Sequence, residues 1–419
     1  MAVVNRLGID FGTSNSAAGF LHNGAPRLIE VEPGQTTLPT AFFFDYESRQ
    51  TLIGTGANAA LLDGLEGRYM RALKRVLGTS LMHEPRQILN EKVTFVEIIA
   101  RFLSLIKTRA EATTGMRFER ALSGRPVRFH SADKARDAQA EEDLRQCYLA
   151  AGFQAVDFLP EPEAAAVATR MLTARGGVGL VVDIGGGTSD FSLFETNAQG
   201  EVNILANQGI RVGGTDFDRV ISFDHVMPLV GKGSLLRKDF GPGTLTAPNA
   251  IFQDMATWEK IPFLYTAKTR RMVGELQRQA LEPEKIQRLL TLLELELGHD
   301  LAFAVERGKI AVNAAARDPN PGNVEVDLGF VETDFHASFS PADLQASLQG
   351  NVRAIQACAR ETVEQAGLSL ERVDHIVFVG GSSLMHAVST AIEQTFPTAT
   401  PVYSEVFTAV ADGLAIAAG

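Results

Sequence analysis

At 419 residues the chain is too long for one ordinary hydrophobic core, which predicts at least two domains. Its composition, 45% hydrophobic and 21% charged, is that of a globular protein, and a net charge of −11 argues against a general nucleic-acid binder, which needs a basic surface to neutralise phosphates, while leaving room for one small basic cleft. The two cysteines, Cys147 and Cys358, lie in no CxxC or Cys/His cluster, which argues against a zinc site or a disulfide framework, and no apolar run reaches the about 18 residues of a membrane span.

The first residues run straight into a strand pattern, so no signal peptide and a cytoplasmic location are expected. Residues 6–21 read as strand, tight turn and strand: Leu7 and Ile9 lead into Asp10, and Gly12-Thr13-Ser14-Asn15-Ser16 makes the turn. A second hairpin-like stretch is expected at 39–44, and helical signals dominate 58–77 and 95–112. Ser131 is placed to cap a helix running to Ala151, with Gly152 as its stop. Ala135, Ala138, Leu144, Cys147, Tyr148 and Ala151 trace its expected buried face. Residues 180–195 repeat the opening design, with Val181-Val182-Asp183 ending a strand and Gly185-Gly186-Gly187-Thr188-Ser189 turning into Asp190. The repeat suggests an internal duplication and two lobes of similar build.

Residues 223–265 read as an elaborated polar loop, and 270–315 as mostly helical. Ser340-Pro341 is a helix start, a capping Ser followed by Pro at the first helical position. Leu344, Leu348, Val352, Ile355, Ala359 and Val363 recur at spacings of three and four, giving one apolar face. Gly367 ends that helix. Residues 375–379 form a strand entering Gly380-Gly381-Ser382-Ser383, and an Ala-rich helix closes the chain at 408–418. No low-complexity linker divides the halves, so the lobes are expected to be interwoven.

A polyphosphate needs closely approaching backbone N–H groups, hydroxyl donors and a magnesium ion. Glycines let the main chain approach because no Cβ intervenes. Asp10 and Asp183 each end a strand before such a turn, where a carboxylate can hold Mg²⁺ through the ion's own waters. Thr13, Ser14 and Thr188 offer hydroxyls. An ordinary hairpin is the alternative for either turn, since Gly, Asn, Asp and Ser dominate turns anyway; two matching turns, each preceded by Asp, weigh against it. No GxxxxGK[ST] loop occurs, and the Gly185 run is followed by a strand pattern, whereas a Rossmann turn opens a helix.

These residues resemble the nucleotide-binding domain of the DnaK-type heat-shock chaperones, within the wider actin, sugar-kinase and heat-shock ATPase superfamily. Gly8-Ile9-Asp10-Phe11-Gly12-Thr13-Ser14 resembles the first phosphate loop, and Asp183-Ile184-Gly185-Gly186-Gly187-Thr188-Ser189-Asp190 the second. Lys74-Arg75-Val76-Leu77-Gly78 is similar to the catalytic-lysine segment, and Leu159-Pro160-Glu161-Pro162-Glu163-Ala164 to the segment connecting the lobes. Val212-Gly213-Gly214-Thr215-Asp216-Phe217-Asp218 and Phe378-Val379-Gly380-Gly381-Ser382-Ser383 resemble the later Gly-Gly turn and the adenosine turn.

The resemblance implies an α/β, two-lobed actin-like ATPase fold of duplicated ribonuclease-H-like domains, with the nucleotide cleft between lobes. Lobe I would span 1–173 with an insertion at about 39–117, completed by 400–419; lobe II would span 176–399 with an insertion at about 216–333. It implies ATP and Mg²⁺, with Lys74, Glu161, Asp183 and Thr188 catalytic and Asp10, Asp183 and Asp190 at the metal. Gly12, Thr13, Ser14, Gly185, Gly186, Gly187, Thr188, Gly213, Gly214 and Thr215 would hold phosphates. Glu306, Lys309, Gly380, Gly381 and Ser382 would contact the nucleoside, although for Glu306 and Lys309 an exposed ion pair one turn apart reads equally well.

Three positions depart from the pattern. Leu384 and Ile310 stand where the family usually has basic residues, and Phe407 where an acid often precedes the last helix, so base preference is expected to differ. The chain stops at Gly419 without a peptide-binding module, as in the short YegD-type branch, so stable capture of unfolded clients by this chain alone is not expected. The function expected is a chaperone-related ATPase working with protein partners or co-chaperones, without nucleic acid or membrane. The alternatives are a small-molecule kinase of the same superfamily and a nucleotide-switched filament or scaffold protein.

Overall fold

Two sheets are built to one plan. In the first, the strand Arg6–Asp10 pairs antiparallel with Asn15–His22, which pairs in turn with Ala25–Leu28 and Thr37–Pro39; on its other side it runs parallel to Arg120–Arg125, followed by Ala155–Pro160. In the second, Val178–Ile184 pairs antiparallel with Ser189–Thr196 and then Val202–Ile210, and parallel with His375–Val379 and then Thr400–Tyr403. Order and strand sense match, so the duplication read from the two turns extends to the sheets. Every residue of Val178–Ile184 is buried, which explains the apolar run up to Asp183, since a strand covered on both faces has no polar side to alternate. This computed structural model describes residues 5–130, 133–169, 177–197, 201–238, 241–318, 322–403 and 408–419.

Two Ala-rich helices, Glu161–Thr169 and Ala409–Ala418, share a core with residues of both sheets: Leu122 from the first, and Val181, Phe194 and Val377 from the second. Small residues allow this. A Cβ on Gly413 would fall 1.8 Å from the Ala164 carbonyl oxygen, so only glycine lets the helices approach so closely. The chain divides into two compact units, Met1–Gly214 with Val352–Gly419, and Thr215–Asn351. The two sheets and the two Ala-rich helices belong to the first. The second is mainly helical, with Asn249–Met255, Ala267–Gln279, Pro283–Glu294 and Gly298–Ala315, and its buried Trp258 meets Phe303 edge to face at 5.1 Å. No described helix is long and apolar enough to cross a membrane.

Several local expectations are met. The helix Pro341–Gln365 begins where Ser340 and Asp343 cap each other: the Asp343 N–H donates to Ser340 Oγ at 3.2 Å and the Ser340 N–H to Asp343 Oδ2 at 2.9 Å. Leu344, Leu348, Ile355, Ala359 and Val363 are buried as the spacing predicts, Val352 is only half-buried, and Gly367 ends the helix at φ 70°.

Others are corrected. Residues 58–77 are not one helix: Thr55–Leu62 is helical, but Gly64 stops it at φ 69° and Gly67–Arg71 pairs as a strand with the Phe-rich Ala41–Asp45. Pairing with an apolar strand outweighs the weak helical preference of those residues. Residues 39–44 are not a hairpin, because Thr37–Pro39 and Ala41–Asp45 join different sheets. Ser131 lies outside the described residues, and the helix Lys134–Ala150 is capped by Asp133, which accepts from the N–H groups of Ala135 and Arg136. Ala135 and Ala138 are exposed; Ala140, Asp143, Leu144, Cys147 and Tyr148 form the buried face. Residues 223–265 hold short helical turns, the strand pair Leu235–Arg237 with Thr244–Thr246 and a helix, because Val226, Met227, Val230, Ile251, Phe252 and Trp258 have a core to fill.

Candidate functional site

The two hairpin turns abut within the first unit. A Cβ on Gly186 would lie 2.3 Å from Ser14 Oγ, and one on Gly187 would lie 2.7 Å from Thr13 Oγ1. In the first turn the Gly12 N–H donates to Ser16 Oγ at 3.2 Å, Ser16 Oγ meets Thr40 Oγ1 at 2.8 Å, and the Thr40 N–H donates to the Ser14 carbonyl at 2.9 Å. The second turn closes with a Gly185 N–H to Thr188 carbonyl bond of 3.0 Å.

Two further turns join them. The Gly214 N–H donates to the Gly185 carbonyl at 2.9 Å, and Ser189 Oγ to the Val212 carbonyl at 2.7 Å. A Cβ on Gly213 would meet the Gly187 nitrogen at 2.6 Å, and one on Gly214 would meet Ser382 Oγ at 2.4 Å. Gly380, at φ 78°, would press a Cβ onto the Ile184 carbonyl oxygen at 2.4 Å and Asp183 Oδ1 at 2.7 Å. Of the predicted site residues, Gly12, Thr13, Ser14, Gly185, Gly186, Gly187, Thr188, Gly213, Gly214, Gly380, Gly381 and Ser382 therefore fall on four adjoining turns.

Lys74 lies in the short turn Leu73–Val76, which follows Ala72 in a left-handed conformation, φ 60°. A non-glycine residue pays strain for that geometry, and strain of this kind gathers at functional sites. Lys74 Nζ donates to Glu161 Oε1 at 2.5 Å, with side-chain exposures of 7% and 11%. Glu161 opens the helix Glu161–Thr169, where the macrodipole favours a negative charge.

The electrostatics bind this pair to the three aspartates. Burial and the Glu161 charge push Asp10 up to about 7, against the pull of Lys74. Burial, then the charges of Glu161, Asp190 and Asp10, drives Asp183 well above the usual carboxylate range. Asp190 is pushed up to about 7 by burial and Glu161, although the Val127 N–H donates to its Oδ1 at 2.6 Å. Burial pulls Lys74 down, but Glu161, Asp10 and Asp190 together hold it above its ordinary value. Four carboxylates thus surround one ammonium, and the site is short of positive charge.

A small cavity opens beside Lys74, lined by Thr13, Gly187 and Thr188 on one side and by Arg75, His130 and Arg211 on the other. The last three were not among the predicted site residues. Arg75, next to Lys74, and Arg211, two residues before Gly213, carry a signal in their positions; His130 is brought in by folding alone.

Thr215, Glu306 and Lys309 belong to the second unit. Lys309 is not in an exposed pair with Glu306. It is buried, its Nζ 2.7 Å from Asp218 Oδ1, and Trp258 Nε1 donates to Asp218 Oδ2 at 3.1 Å. Ile310 is 59% exposed, and Phe407 lies outside the described residues.

The arrangement fits a polyphosphate with a divalent cation. The turns form a cradle that a Cβ would fill, and the excess of buried carboxylates calls for a cation. Among the described residues no three His, Cys, Asp or Glu side chains converge to ligate one ion directly. An ion here would meet the aspartates through its water shell, the habit of magnesium.

A duplicated sheet with an Asp leading into a Gly/Thr hairpin in each half defines the class of two-lobed actin-like proteins. The sequence profile described as Hsp70 protein matches residues 6–234 and 299–419, and the chain belongs to that family. It is 32% identical over 391 residues to the chaperone protein DnaK of Ureaplasma urealyticum, covering 93% of this chain and 54% of that protein. To the DnaK of Mycoplasma mobile it is 27% identical over 395 residues, covering 94% and 54%. To the DnaK of Metamycoplasma hominis it is 32% identical over 218 residues, covering 51% and 34%. The chain spans about half the length of these relatives, or less.

Proposed function

We propose that this chain binds ATP with Mg²⁺ and hydrolyses it, as the nucleotide-driven part of a chaperone-related activity. The observation that carries the reading is the buried Lys74–Glu161 pair, set among three aspartates whose pKa values are raised and beside four glycine-rich turns. The turns at Gly12–Ser14, Gly185–Thr188 and Gly213–Thr215 would hold the phosphates through backbone N–H groups and hydroxyls. Lys74 would stabilise charge spreading onto the outermost phosphate, and Glu161 would orient the attacking water. Asp10, Asp183 and Asp190 would hold Mg²⁺ through its waters; bound there, the ion supplies charge neutralisation of the phosphates.

Gly380, Gly381 and Ser382 of the first unit would border the nucleoside. The lobes would run 1–173 with 400–419, and 176–399, with the insertions expected from the sequence. The cytoplasm is the proposed location, with protein partners or co-chaperones as the coupled components.

The test is an ATPase assay on the isolated chain with and without magnesium, beside Lys74→Ala. Magnesium-dependent turnover that Lys74→Ala abolishes is the expected result. Equal turnover by the two proteins would show that the lysine has been given the wrong role.

A further inference from the structure

The main chain that follows Lys74 is gripped by side chains from elsewhere in the first unit. The Arg75 carbonyl accepts from Arg211 Nη2 at 2.6 Å, and the Leu77 carbonyl from His130 Nε2 at 2.7 Å. The Gly78 N–H donates to Asp143 Oδ2 at 2.8 Å, and the Gly78 carbonyl accepts from Arg136 Nε at 3.4 Å. Asp143 is fully buried and His130 is 7% exposed. Gly78 itself, at φ 74°, has no room for a Cβ, which would fall 2.4 Å from the Arg136 carbonyl oxygen.

His130 joins two of these grips. Arg211 Nη1 lies 3.1 Å from His130 Nδ1. A carbonyl oxygen only accepts, so Nε2 carries the proton; a guanidinium only donates, so Nδ1 presents its lone pair. The ring is therefore neutral and in one tautomer. Protonating it would set an N–H against the guanidinium. Arg211 follows the strand Val202–Ile210 of the second sheet and stands two residues before Gly213. His130 follows the strand Arg120–Arg125 of the first. The main chain thus ties the Gly213–Gly214 turn to Arg211, and the hydrogen bonds of Arg211 and His130 tie that residue to the backbone behind Lys74.

We infer that Arg211 and His130 are positioning residues for Lys74: they hold its backbone in register with the Gly213–Gly214 turn, so that a displacement of that turn displaces the lysine. The inference rests on the proposed hydrolysis, in which a shift of about 1 Å in a charged group costs about 100-fold in rate. The pair touches no reacting atom in this role.

The experiment uses the full chain with Arg211→Ala, His130→Ala and His130→Gln. Arg211→Ala is expected to lower kcat about 10- to 100-fold with KM for ATP changed less than about threefold, because the turns that hold the phosphates remain. His130→Gln, whose amide can donate to Leu77 and accept from Arg211, is expected to recover most of the kcat that His130→Ala loses. Folded Arg211→Ala with wild-type kcat would overturn the inference. So would kcat and KM falling together in step with melting temperature across all three variants, the mark of a merely structural role.

A second readout needs no nucleotide. Imidazole ¹⁵N spectra should show His130 as the neutral Nε2–H tautomer, and Arg211→Ala should move both its Nδ1 signal and the Gly78 amide. If neither moves, the clamp does not exist. An inactive wild type with these shifts present would instead remove the hydrolysis reading while leaving the clamp in place.

Discussion

Lys74 Nζ sits 2.5 Å from Glu161 Oε1, and the two residues lie 87 positions apart in a nearly dry site. Each is the other's compensation. Removing Lys74 leaves the buried Glu161 carboxylate without its partner, which typically costs about 3–5 kcal/mol, whereas replacing both by neutral groups of similar size can be close to neutral. Lys74→Met is therefore expected to be markedly less stable than wild type in the absence of metal, and Lys74→Met/Glu161→Gln to regain most of that loss. Urea unfolding of the single and double variants measures it; strict additivity would deny the coupling.

Asp190 carries a pH dependence. Its carboxyl rises from 3.8 to about 7 on folding, chiefly through burial and the Glu161 charge. The folded state then holds a proton that the unfolded chain has released, so this group stabilises fully below 3.8, and its contribution fades as pH rises to about 7. In metal-free protein Asp190→Asn, which keeps an acceptor for the Val127 N–H, should raise the melting temperature by several degrees at about pH 8 and by less at about pH 5. A gain that is the same at both pH values would argue against a titrating Asp190.

Gly213 tests the cradle. Its missing Cβ would meet backbone, the Gly187 nitrogen at 2.6 Å and the Gly186 carbonyl carbon at 2.7 Å, and backbone yields little. Gly213→Ala should push the second turn out of place and weaken ATP binding by at least about tenfold, at a stability cost of about 1–3 kcal/mol. Calorimetric titration with ATP and magnesium gives the affinity; unchanged binding would show that this turn does not shape the site.

Gly413 tests the fold. A methyl group there would strike the Ala164 carbonyl oxygen at 1.8 Å, forcing apart the two helices that share a core with both sheets. Gly413→Ala is expected to cost about 3 kcal/mol or more, the upper range for overpacking. A melting temperature within a degree of wild type would mean that the helices can separate freely.

Much of this architecture was legible because it rests on local chemistry. Asp10 and Asp183 precede turns whose Gly, Thr and Ser residues have few other uses in that order, and Ser340-Pro341 starts a helix by capping alone. Gly67–Arg71 was misread because its strand exists only through pairing with Ala41–Asp45. The burial of Asp143 was invisible because, beside the local Gln139, its partners Gly78 and His83 lie about 60 positions away in the chain.

What the sequence determined by itself was the set of glycine-rich turns and their duplication, since turn conformation and strand periodicity act over a few neighbouring residues. Only the tertiary structure decided where the charges act. It joined Lys74 to Glu161, bound Lys309 to Asp218 within the second unit, and brought Arg211 and His130 to the backbone behind Lys74. Burial and distance set the strength of a charge, and both arise when distant segments pack.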